Sequence, residues 1–295
     1  MPVSTVATIT DLRAALDAQR SAGRTVGFVP TMGYLHAGHA SLMTAARATN
    51  DLVVASIFVN PLQFGPSEDL AAYPRDLGGD TALAQQCGVD LLFVPTVEEM
   101  YPHRVRTTVS VSGVSEPLEG RARPAHFAGV ATVVAKLFAI VGPCRAYFGE
   151  KDFQQLAVIR QMVRDLSLPV EVVGCATVRE PDGLAMSSRN AYLTEPERAA
   201  APVVHAALLA GRAAVLSGET SPVAVRAEMA AVLQQQPVAV VDYAEVVDAA
   251  TFEVPDPLNG SLRLLVAARF GRARLIDNVG VEVQTALASN TPDGT

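Results

Sequence analysis

The sequence is short of positive charge and of cysteine, and each shortage excludes a class of partner or site. Aspartate and glutamate outnumber lysine and arginine by 30 to 23, so the formal net charge is −7. Binding to nucleic acid requires a basic surface, and we therefore expect no nucleic-acid partner. The three cysteines, Cys87, Cys144 and Cys175, are too few and too widely spaced for a disulfide framework or a metal cluster. We expect free thiols, as in a reducing cytoplasmic compartment.

Long apolar runs are also missing. The start of the sequence, residues 1–4, has no basic n-region and no apolar h-region, so we expect no signal peptide. The longest apolar segment, residues 129–141, is shorter than the roughly 18–20 residues that a bilayer requires, and it contains Lys136. We therefore expect a globular protein with no membrane partner. With 295 residues, 49% of them hydrophobic, the chain can bury a large core, and two domains are expected.

Residues 1–178 alternate strand-like and helix-like segments, which predicts an α/β domain. Apolar, β-branched runs such as 26–29 and 53–59 alternate with segments of helical periodicity. The first of these helices precedes the run 26–29, and Thr10 is expected to cap it. This order is typical of a Rossmann-like parallel sheet covered by helices on both faces. Sheets of this type bind ligands beyond the carboxyl ends of their strands.

A change of pattern predicts a second, smaller α+β domain over residues 179–295. Residues 194–197 have the sequence of a capping box, and one long alanine-rich helix is expected from there to about Ser217. Two apolar runs on either side of Gly271 resemble a β-hairpin. The polar tail from about Ser289 is expected to fray.

Two histidines, His36 and His39, lie at a strand-to-helix turn after the first apolar run. Their spacing allows both to share one face at the start of a helix. Gly38 between them permits close approach of a flat ring or a phosphate, and a helix N-terminus favours anions. A metal pair is an alternative, although no nearby Cys, Asp or Glu completes a familiar ligand set. A pair of purely structural capping histidines is another. These residues favour nucleotide binding.

A second strand-to-helix turn contains Gly149, Lys151 and Asp152. Lys151 is one of only two lysines in the chain, the other being Lys136. An ammonium group near a helix N-terminus is unfavourable unless it shares an anion, so Lys151 indicates a phosphate ligand. Asp152 is expected to cap the following helix, to orient Lys151 or to hold a metal-bound phosphate.

Three further segments contain polar groups suited to ligands. Ser187, Ser188 and Arg189 form a loop that suits a phosphate clamp, although a solvated loop is an equally ordinary explanation. The amides of Asn60 and Gln63 end an apolar strand and suit a small hydroxy acid. The block 119–129, which contains Arg123, is explained as well by turn structure as by function.

Taken together, these segments resemble the pantothenate synthetase (pantoate–β-alanine ligase) family over essentially the whole chain. The His-x-Gly-His element resembles the HIGH signature of the nucleotidyltransferase superfamily. The MSSR element resembles its KMSKS counterpart, with Arg189 at a lysine position. The motifs that carry the family resemblance, in order, are PTMGYLHAGH, SIFVNPLQFG, EDLAAYPRD, RPAHFAGV, YFGEKDFQQL and GLAMSSRNAYL.

The resemblance implies a reaction and an architecture. The implied reaction condenses (R)-pantoate with β-alanine, using ATP and Mg²⁺, and yields pantothenate, AMP and pyrophosphate through a pantoyl adenylate. The implied architecture is a Rossmann-like domain with a C-terminal lid, in a cytoplasmic homodimer. The alternative is a cofactor nucleotidylyltransferase of the same superfamily, which keeps the nucleotide on its product.

The resemblance also assigns roles to residues. His36 corresponds to the family's proton donor. Asp80 is a possible metal contact, although Gly78-Gly79 replaces part of the family's acidic segment. Charge on the phosphates is expected to be neutralised by the amides at the start of the first-motif helix and by the side chains of His36, His39, Lys151, Ser187, Ser188 and Arg189. The substrate-binding residues are expected to be Asn60, Gln63, Arg123 and Gln155. The expected ATP contacts are Pro30, Thr31, Met32, Gly33, Tyr34, Leu35, His36, Ala37, Gly149, Glu150, Lys151, Asp152, Val178, Met186, Ser187, Ser188 and Arg189.

Overall fold

The structure is a computed structural model that describes residues 2–65, 70–71 and 73–283. The polar tail from Ser289 therefore lies outside the described residues. The described chain divides into two compact units, one ending at Ala191 and the other beginning at Tyr192. Residues 179–191, which we assigned by sequence to the second domain, group with the first unit.

The first unit is a six-stranded parallel sheet with helices between its strands, which confirms the α/β prediction. The strands are β1 (Ser4–Val6), β2 (Val26–Thr31), β3 (Leu52–Ile57), β4 (Leu91–Phe93), β5 (Cys144–Gly149) and β6 (Val170–Cys175). The helices are α1 (Ile9–Ser21), α2 (Ala37–Thr49), α3 (Leu77–Gln86), α4 (Val97–Met100), α5 (Glu119–Ala122), α6 (His126–Val141) and α7 (Phe153–Asp165).

Both faces of this sheet are buried, as its continuous apolar strands predict. Neighbouring residues on β2 belong to different hydrophobic clusters: Phe28 packs with residues of α1, α6 and α7, and Val29 packs with residues of α2. The same alternation occurs on β3, where Val54 joins the first cluster and Val53 the second. Side chains that alternate between two apolar layers fix the register of these two strands, because a slip of one residue would exchange the faces.

The strand order, β1-β4-β3-β2-β5-β6, determines where a ligand can bind. The chain proceeds from β2 to β3 and β4 on one side of the sheet, and from β5 to β6 on the other. Strands β2 and β5 are paired neighbours, so the direction of winding reverses between them. Such a switch point leaves a crevice at the carboxyl ends of the strands, where open α/β sheets bind ligands.

The second unit contains helices and a three-stranded antiparallel sheet in the order β7-β8-β9, as predicted for an α+β unit. The hairpin around Gly271 is confirmed by the pairing of β8 with β9. The elements are α8 (Glu195–Ala200), α9 (Val203–Leu216), α10 (Pro222–Leu233), β7 (Ala239–Asp248), β8 (Gly260–Phe270) and β9 (Ala273–Val283).

The long helix expected from residue 194 is wrong in extent. The Thr194–Glu197 capping box forms, but α8 ends at Ala200 and α9 begins at Val203. Pro202 lies between them, and its missing N–H group and its ring interrupt a helical ladder. The stretch Glu195–Leu216 is long and apolar enough to cross a membrane by length and composition. In this unit α9 instead packs on β8, β9 and α10, which accounts for its apolar residues.

Smaller differences concern caps and ends. Thr8, not Thr10, caps α1, because its side-chain oxygen accepts the N–H group of Asp11 at 3.1 Å. Strand β6 ends at Cys175, three residues earlier than the run 170–178 suggested. All three cysteines are free thiols, as expected.

Candidate active site

The expected site residues follow four neighbouring strands at one edge of the sheet. The histidine turn follows β2, the Lys151 turn follows β5, Asn60 and Gln63 follow β3, and Val178 follows β6. Because the four strands are parallel, their carboxyl ends lie side by side. The sheet therefore brings together segments that are far apart in sequence.

The histidine turn begins with a change of backbone direction at the end of β2. Pro30 and Thr31 are still in the strand, and the Thr31 hydroxyl donates to the carbonyl of Ser56 on β3 at 2.7 Å. Gly33 and Tyr34 then adopt left-handed conformations, with φ of +84° and +52°. This turn leads directly into α2, whose first residue is Ala37 and whose N-cap is His36.

Both histidines use their Nδ1 atoms to hold the start of α2. The Nδ1 atom of His36 accepts the N–H group of Gly38 at 3.1 Å. The Nδ1 atom of His39 accepts the N–H group of His36 at 3.3 Å, and the two rings are in contact at a centroid distance of 4.2 Å, with their planes tilted by 44°. These contacts form a capping box made of histidines. The capping role considered from sequence is therefore real, and it leaves each Nε2 atom for another partner.

Burial keeps both rings uncharged. Desolvation, reinforced by the positive charge of Lys151, lowers the pKa of His36 to about 4. Desolvation and the proximity of His36 lower the pKa of His39 to about 3. In a neutral imidazole whose Nδ1 accepts a hydrogen bond, the proton is on Nε2. Each histidine thus presents an Nε2–H donor at neutral pH.

We expect the lowered pKa of His39 to make the protein less stable in acid. From pH 6.5 down to about 4 the unfolded chain binds protons at these histidines that the folded chain does not, so the free energy of unfolding falls as the pH drops. The variant His39→Gln removes one of these titrations but keeps a residue suited to a capping box. Its melting temperature should match the wild type above pH 6.5 and fall less steeply towards pH 4. An unchanged slope in thermal melts across this range would contradict the assignment.

Lys151 lies beside the histidines. It is the middle residue of a 3₁₀ turn, Glu150–Asp152, that joins the end of β5 to α7. Its charge contributes to the lowered pKa of both His36 and His39. Its Nζ atom is 3.9 Å from a carboxylate oxygen of Asp152, and the Lys151 side chain is 17% exposed. Asp152 is the N-cap residue of α7, but its side chain makes no capping hydrogen bond to the helix and lies within ion-pair distance of Lys151.

The serine–arginine loop returns to the same edge of the sheet. The N–H group of Met186 donates to the carbonyl of Val178 at 2.9 Å, which ties the loop to the segment after β6. A side-chain carbon added at Gly38 would lie 3.7 Å from Cβ of Met186, so the loop passes close to the first turn of α2. Ser187 accepts the N–H group of Arg189 through its hydroxyl, at 3.2 Å. The loop is thus held next to the histidine turn.

Asn60 and Gln63 form a connected amide pair at the end of β3. The Nδ2 group of Asn60 donates to Oε1 of Gln63 at 3.1 Å, and Gln63 Nε2 lies 3.1 Å from Sδ of Met32 in the histidine turn. Asn60 is buried, and its Oδ1 atom accepts the hydroxyl of Tyr101 at 2.9 Å. Tyr101 is a contact that sequence reasoning missed, since nothing in its local sequence relates it to Asn60.

The other two residues expected to bind the substrate, Arg123 and Gln155, lie in different parts of the first unit. The guanidinium of Arg123 and the ring of His126 lie 3.4 and 3.0 Å from the backbone carbonyl of Gln63, so the block 119–129 reaches the site. Gln155 lies on the first turn of α7 and is half-buried. Its neighbour Gln154 is fully buried and holds the 114–119 segment through three hydrogen bonds.

Most backbone N–H groups of the histidine turn are already used. The groups that donate to side chains of the protein belong to Gly33, Tyr34, Leu35, His36 and Gly38. Two of them donate to Asp80 of α3, a contact across 46 residues of sequence that the motif itself did not indicate. The backbone amides of this turn, which the sequence led us to expect as anion donors, are thus largely engaged within the protein, and the remaining donors at this edge are mainly side chains.

Metal-ion ligands are sparse near the site. Within the described part of the chain, no group of three or more His, Cys, Asp or Glu side chains could hold a metal ion. Mg²⁺ commonly takes one or two carboxylates and completes its shell with water and substrate phosphates. The residues present suit that kind of site and not a cage built by the protein alone.

Comparison with known proteins gives a consistent result. A sequence profile of the family described as Pantoate-beta-alanine ligase matches residues 4–280. The chain is 51% identical over 278 residues to the pantothenate synthetase of Acetivibrio thermocellus, and the aligned region covers 94% of this chain and 99% of that protein. A solved pantothenate synthetase from Thermus thermophilus is 53% identical, with a TM-score of 0.89 and coverage of 94% and 99%. A solved pantoate-beta-alanine ligase from Francisella tularensis, described as complexed with beta-gamma ATP and beta-alanine, is 32% identical, with a TM-score of 0.77 and coverage of 94% and 97%.

Proposed function

The chain belongs to the pantoate-beta-alanine ligase family, and on this premise we propose that its histidine turn, Lys151 turn and serine–arginine loop together bind and activate ATP. The protein is a ligase that condenses pantoate with β-alanine, with ATP as a substrate. The observation that carries the residue assignment is the meeting of three groups at one sheet edge. These are two neutral Nε2–H donors, the Lys151 ammonium and the loop at Met186.

The first step joins pantoate to the nucleotide. A carboxylate oxygen of pantoate attacks the α-phosphorus of ATP, the bond from that phosphorus to the bridging oxygen breaks, and pyrophosphate leaves. The carboxylate is already ionised at neutral pH, so no general base is needed. The step requires in-line placement and stabilisation of the negative charge that builds up on the phosphate oxygens.

The proposed catalytic residues supply that stabilisation. His36 and His39 donate Nε2–H groups as neutral imidazoles, and Lys151 adds a full positive charge beside them. Ser187, Ser188 and Arg189 contribute hydroxyl and guanidinium donors from the loop that passes Gly38. Preorganised donors of this kind stabilise a transition state without the cost of reorienting solvent. With its pKa lowered to about 4, His36 serves as a hydrogen-bond donor and not as an acid that gives up its proton.

The second step releases the product. The amine of β-alanine attacks the carbonyl carbon of the pantoyl adenylate, the C–O bond to AMP breaks, and the amine loses a proton as the amide forms. The adenylate is prone to hydrolysis, so the site must exclude water. We assign the second unit, from residue 192 onwards, to this lid role.

Pantoate binding is assigned to the amide pair and its neighbours. Asn60 and Gln63 are rigidly connected, which suits them to orient the hydroxyl groups of a small acid. Arg123 supplies a positive charge next to Gln63 for the carboxylate, and Gln155 adds an amide from α7. Amide and guanidinium donors on a rigid framework favour one orientation of the substrate.

Three further assignments rest on the family alone. Mg²⁺ would accompany ATP and neutralise phosphate charge, held mainly by the phosphates and by a carboxylate such as that of Asp152, since both carboxylate oxygens of Asp80, the possible metal contact, already accept backbone N–H groups. The protein is assigned to the cytoplasm. It is expected to form a homodimer, which sedimentation or light scattering would measure.

The test of the whole assignment is isotope exchange. Labelled pyrophosphate should enter ATP only when pantoate is present, and AMP should accumulate only after β-alanine is added. This order follows because the adenylate forms reversibly before the amine attacks. Exchange without pantoate would instead indicate a cofactor nucleotidylyltransferase, and exchange with no amide product would contradict the ligase mechanism.

A further inference from the structure

We propose that Asp80 is a positioning residue of the ATP site, because its buried carboxylate holds the backbone turn that places the His36 imidazole. This inference rests on the proposed function in one respect only, that the histidine turn binds ATP. The proposed role differs from that of a metal ligand, and it requires no contact between Asp80 and the substrate.

The carboxylate of Asp80 binds two consecutive N–H groups of the turn. Its Oδ2 atom accepts the N–H of Tyr34 at 2.9 Å, and its Oδ1 atom accepts the N–H of Leu35 at 2.6 Å. Asp80 is 3% exposed and lies on the first turn of α3. One side chain thus connects α3 to the end of β2 through both of its oxygens. Hydrogen bonds from backbone N–H groups to a carboxylate are among the stronger ones in proteins.

The turn needs an external support because its conformation is unfavourable. Tyr34 has a φ of +52°, in the left-handed region that residues with a side chain rarely adopt. Strained residues of this kind persist only where surrounding contacts determine them. Asp80 provides such a contact on the N–H group of Tyr34 itself. Asp80 also packs closely against Gly33, because a side-chain carbon added at Gly33 would lie 3.0 Å from Oδ2 of Asp80.

The supported segment ends at the functional histidine. Leu35, whose N–H group is bound by Asp80, directly precedes His36. His36 is the N-cap of α2, and its ring is fixed through Nδ1 to Gly38. The direction in which the chain enters the helix therefore sets where the Nε2–H group of His36 lies. A shift of the Tyr34–Leu35 backbone would move this donor relative to the phosphates.

Asp80 has no role as the cap of its own helix. That role belongs to Asp76, whose side chain accepts the N–H group of Gly79 at 2.9 Å. Burial raises the pKa of Asp80, while the hydrogen bonds from Leu35 and Tyr34 lower it. Burial of this carboxylate is therefore unfavourable by itself. The hydrogen bonds that it accepts from the histidine turn offset part of that desolvation cost.

The test compares Asp80→Asn with Asp76→Asn. Both variants remove one negative charge from the same end of α3, and asparagine remains a good N-cap at residue 76. In Asp80→Asn the amide can accept only one of the two N–H groups. We expect the dissociation constant for ATP, measured by calorimetry without pantoate, to rise by about tenfold in Asp80→Asn and to stay unchanged in Asp76→Asn. In steady-state assays the KM for ATP should rise and kcat should fall, while the KM for pantoate and the Mg²⁺ requirement stay at wild-type values.

Other outcomes would overturn the proposal. An equal rise in the KM of all substrates, with a lower melting temperature, would indicate a general structural role. A raised Mg²⁺ requirement would indicate a metal ligand, and unchanged ATP binding would show that the tether is not needed. If Asp80→Asn fails to fold, Gly33→Ala perturbs the same contact, because its added side-chain carbon would crowd Oδ2 of Asp80, and it should show the same selective loss of ATP affinity. Because ATP binding is measured without pantoate, failure of the ligase assignment alone would leave this result interpretable.

Discussion

Replacement of Lys151 by alanine is expected to lower kcat by about 10²–10³ and to leave the fold intact. The ammonium is a positive charge close to both histidines, and in the proposed mechanism negative charge develops there in the first step. It lies in a 3₁₀ turn at the edge of the sheet and its side chain is not part of either hydrophobic cluster. Its removal should therefore affect the transition state far more than the free energy of unfolding.

The Lys151→Ala variant has a second, independent readout. Because the charge of Lys151 lowers the pKa of His36 and His39, the pKa of both should rise in the variant, as measured by NMR titration of the imidazoles. Arg164→Ala is the matched control, since it removes a positive charge from the last turn of α7, the helix that follows the Lys151 turn. Near-normal turnover in Lys151→Ala, or an equal loss in Arg164→Ala, would refute the role.

Two substitutions of His36 are expected to separate its structural role from its chemical one. Asparagine can reproduce the Nδ1 acceptor that caps α2, but it cannot reach the position of Nε2. Glutamine can place an N–H donor near the Nε2 position, but it caps poorly. We expect His36→Asn to lower kcat by about 10²–10³ with an unchanged melting temperature, as for the loss of one preorganised donor. His36→Gln should retain more activity and lose some stability.

This pair also distinguishes a hydrogen-bond donor from a proton donor. If His36 transferred its proton during the reaction, neither amide could replace it, and the two variants would be equally inactive. An activity of His36→Gln well above that of His36→Asn, with the reverse order in thermal melts, is the result that the neutral-imidazole assignment requires. The pH profile should agree with it, because a neutral donor gives no activity loss as the pH rises through 6.5.

The architecture could be predicted well from local pattern. Continuous apolar strands such as β2 and β3 alternate with amphipathic helices, and this periodicity depends only on which faces are buried. The exceptions were single residues. Pro202 divides what the alanine-rich composition suggested was one helix, and Thr8 replaces Thr10 as the cap of α1. Caps and breaks depend on one hydrogen bond each, so a composition that favours helix throughout does not locate them.

The sequence could predict which turns meet at one edge of the sheet, but not the contacts that they make there. Turns at strand ends, with histidine, lysine or serine beside a glycine, are visible in the sequence, and parallel strands bring such ends to one edge. The pairing of Asn60 with Tyr101, and of Asp80 with the histidine turn, is not visible there. Each joins residues more than 40 positions apart, and local periodicity carries no information about such partners.

By itself, the sequence determined the α/β plan, the order of the motifs and the family, because each depends on residue type and spacing along the chain. Tertiary structure decided how the histidine turn works. Burial makes His36 and His39 neutral, and their Nδ1 atoms are committed to the backbone, which leaves Nε2–H as the group available to a phosphate. Protonation state and hydrogen-bond partners depend on desolvation and on neighbours distant in sequence, and both are set only when the chain is packed.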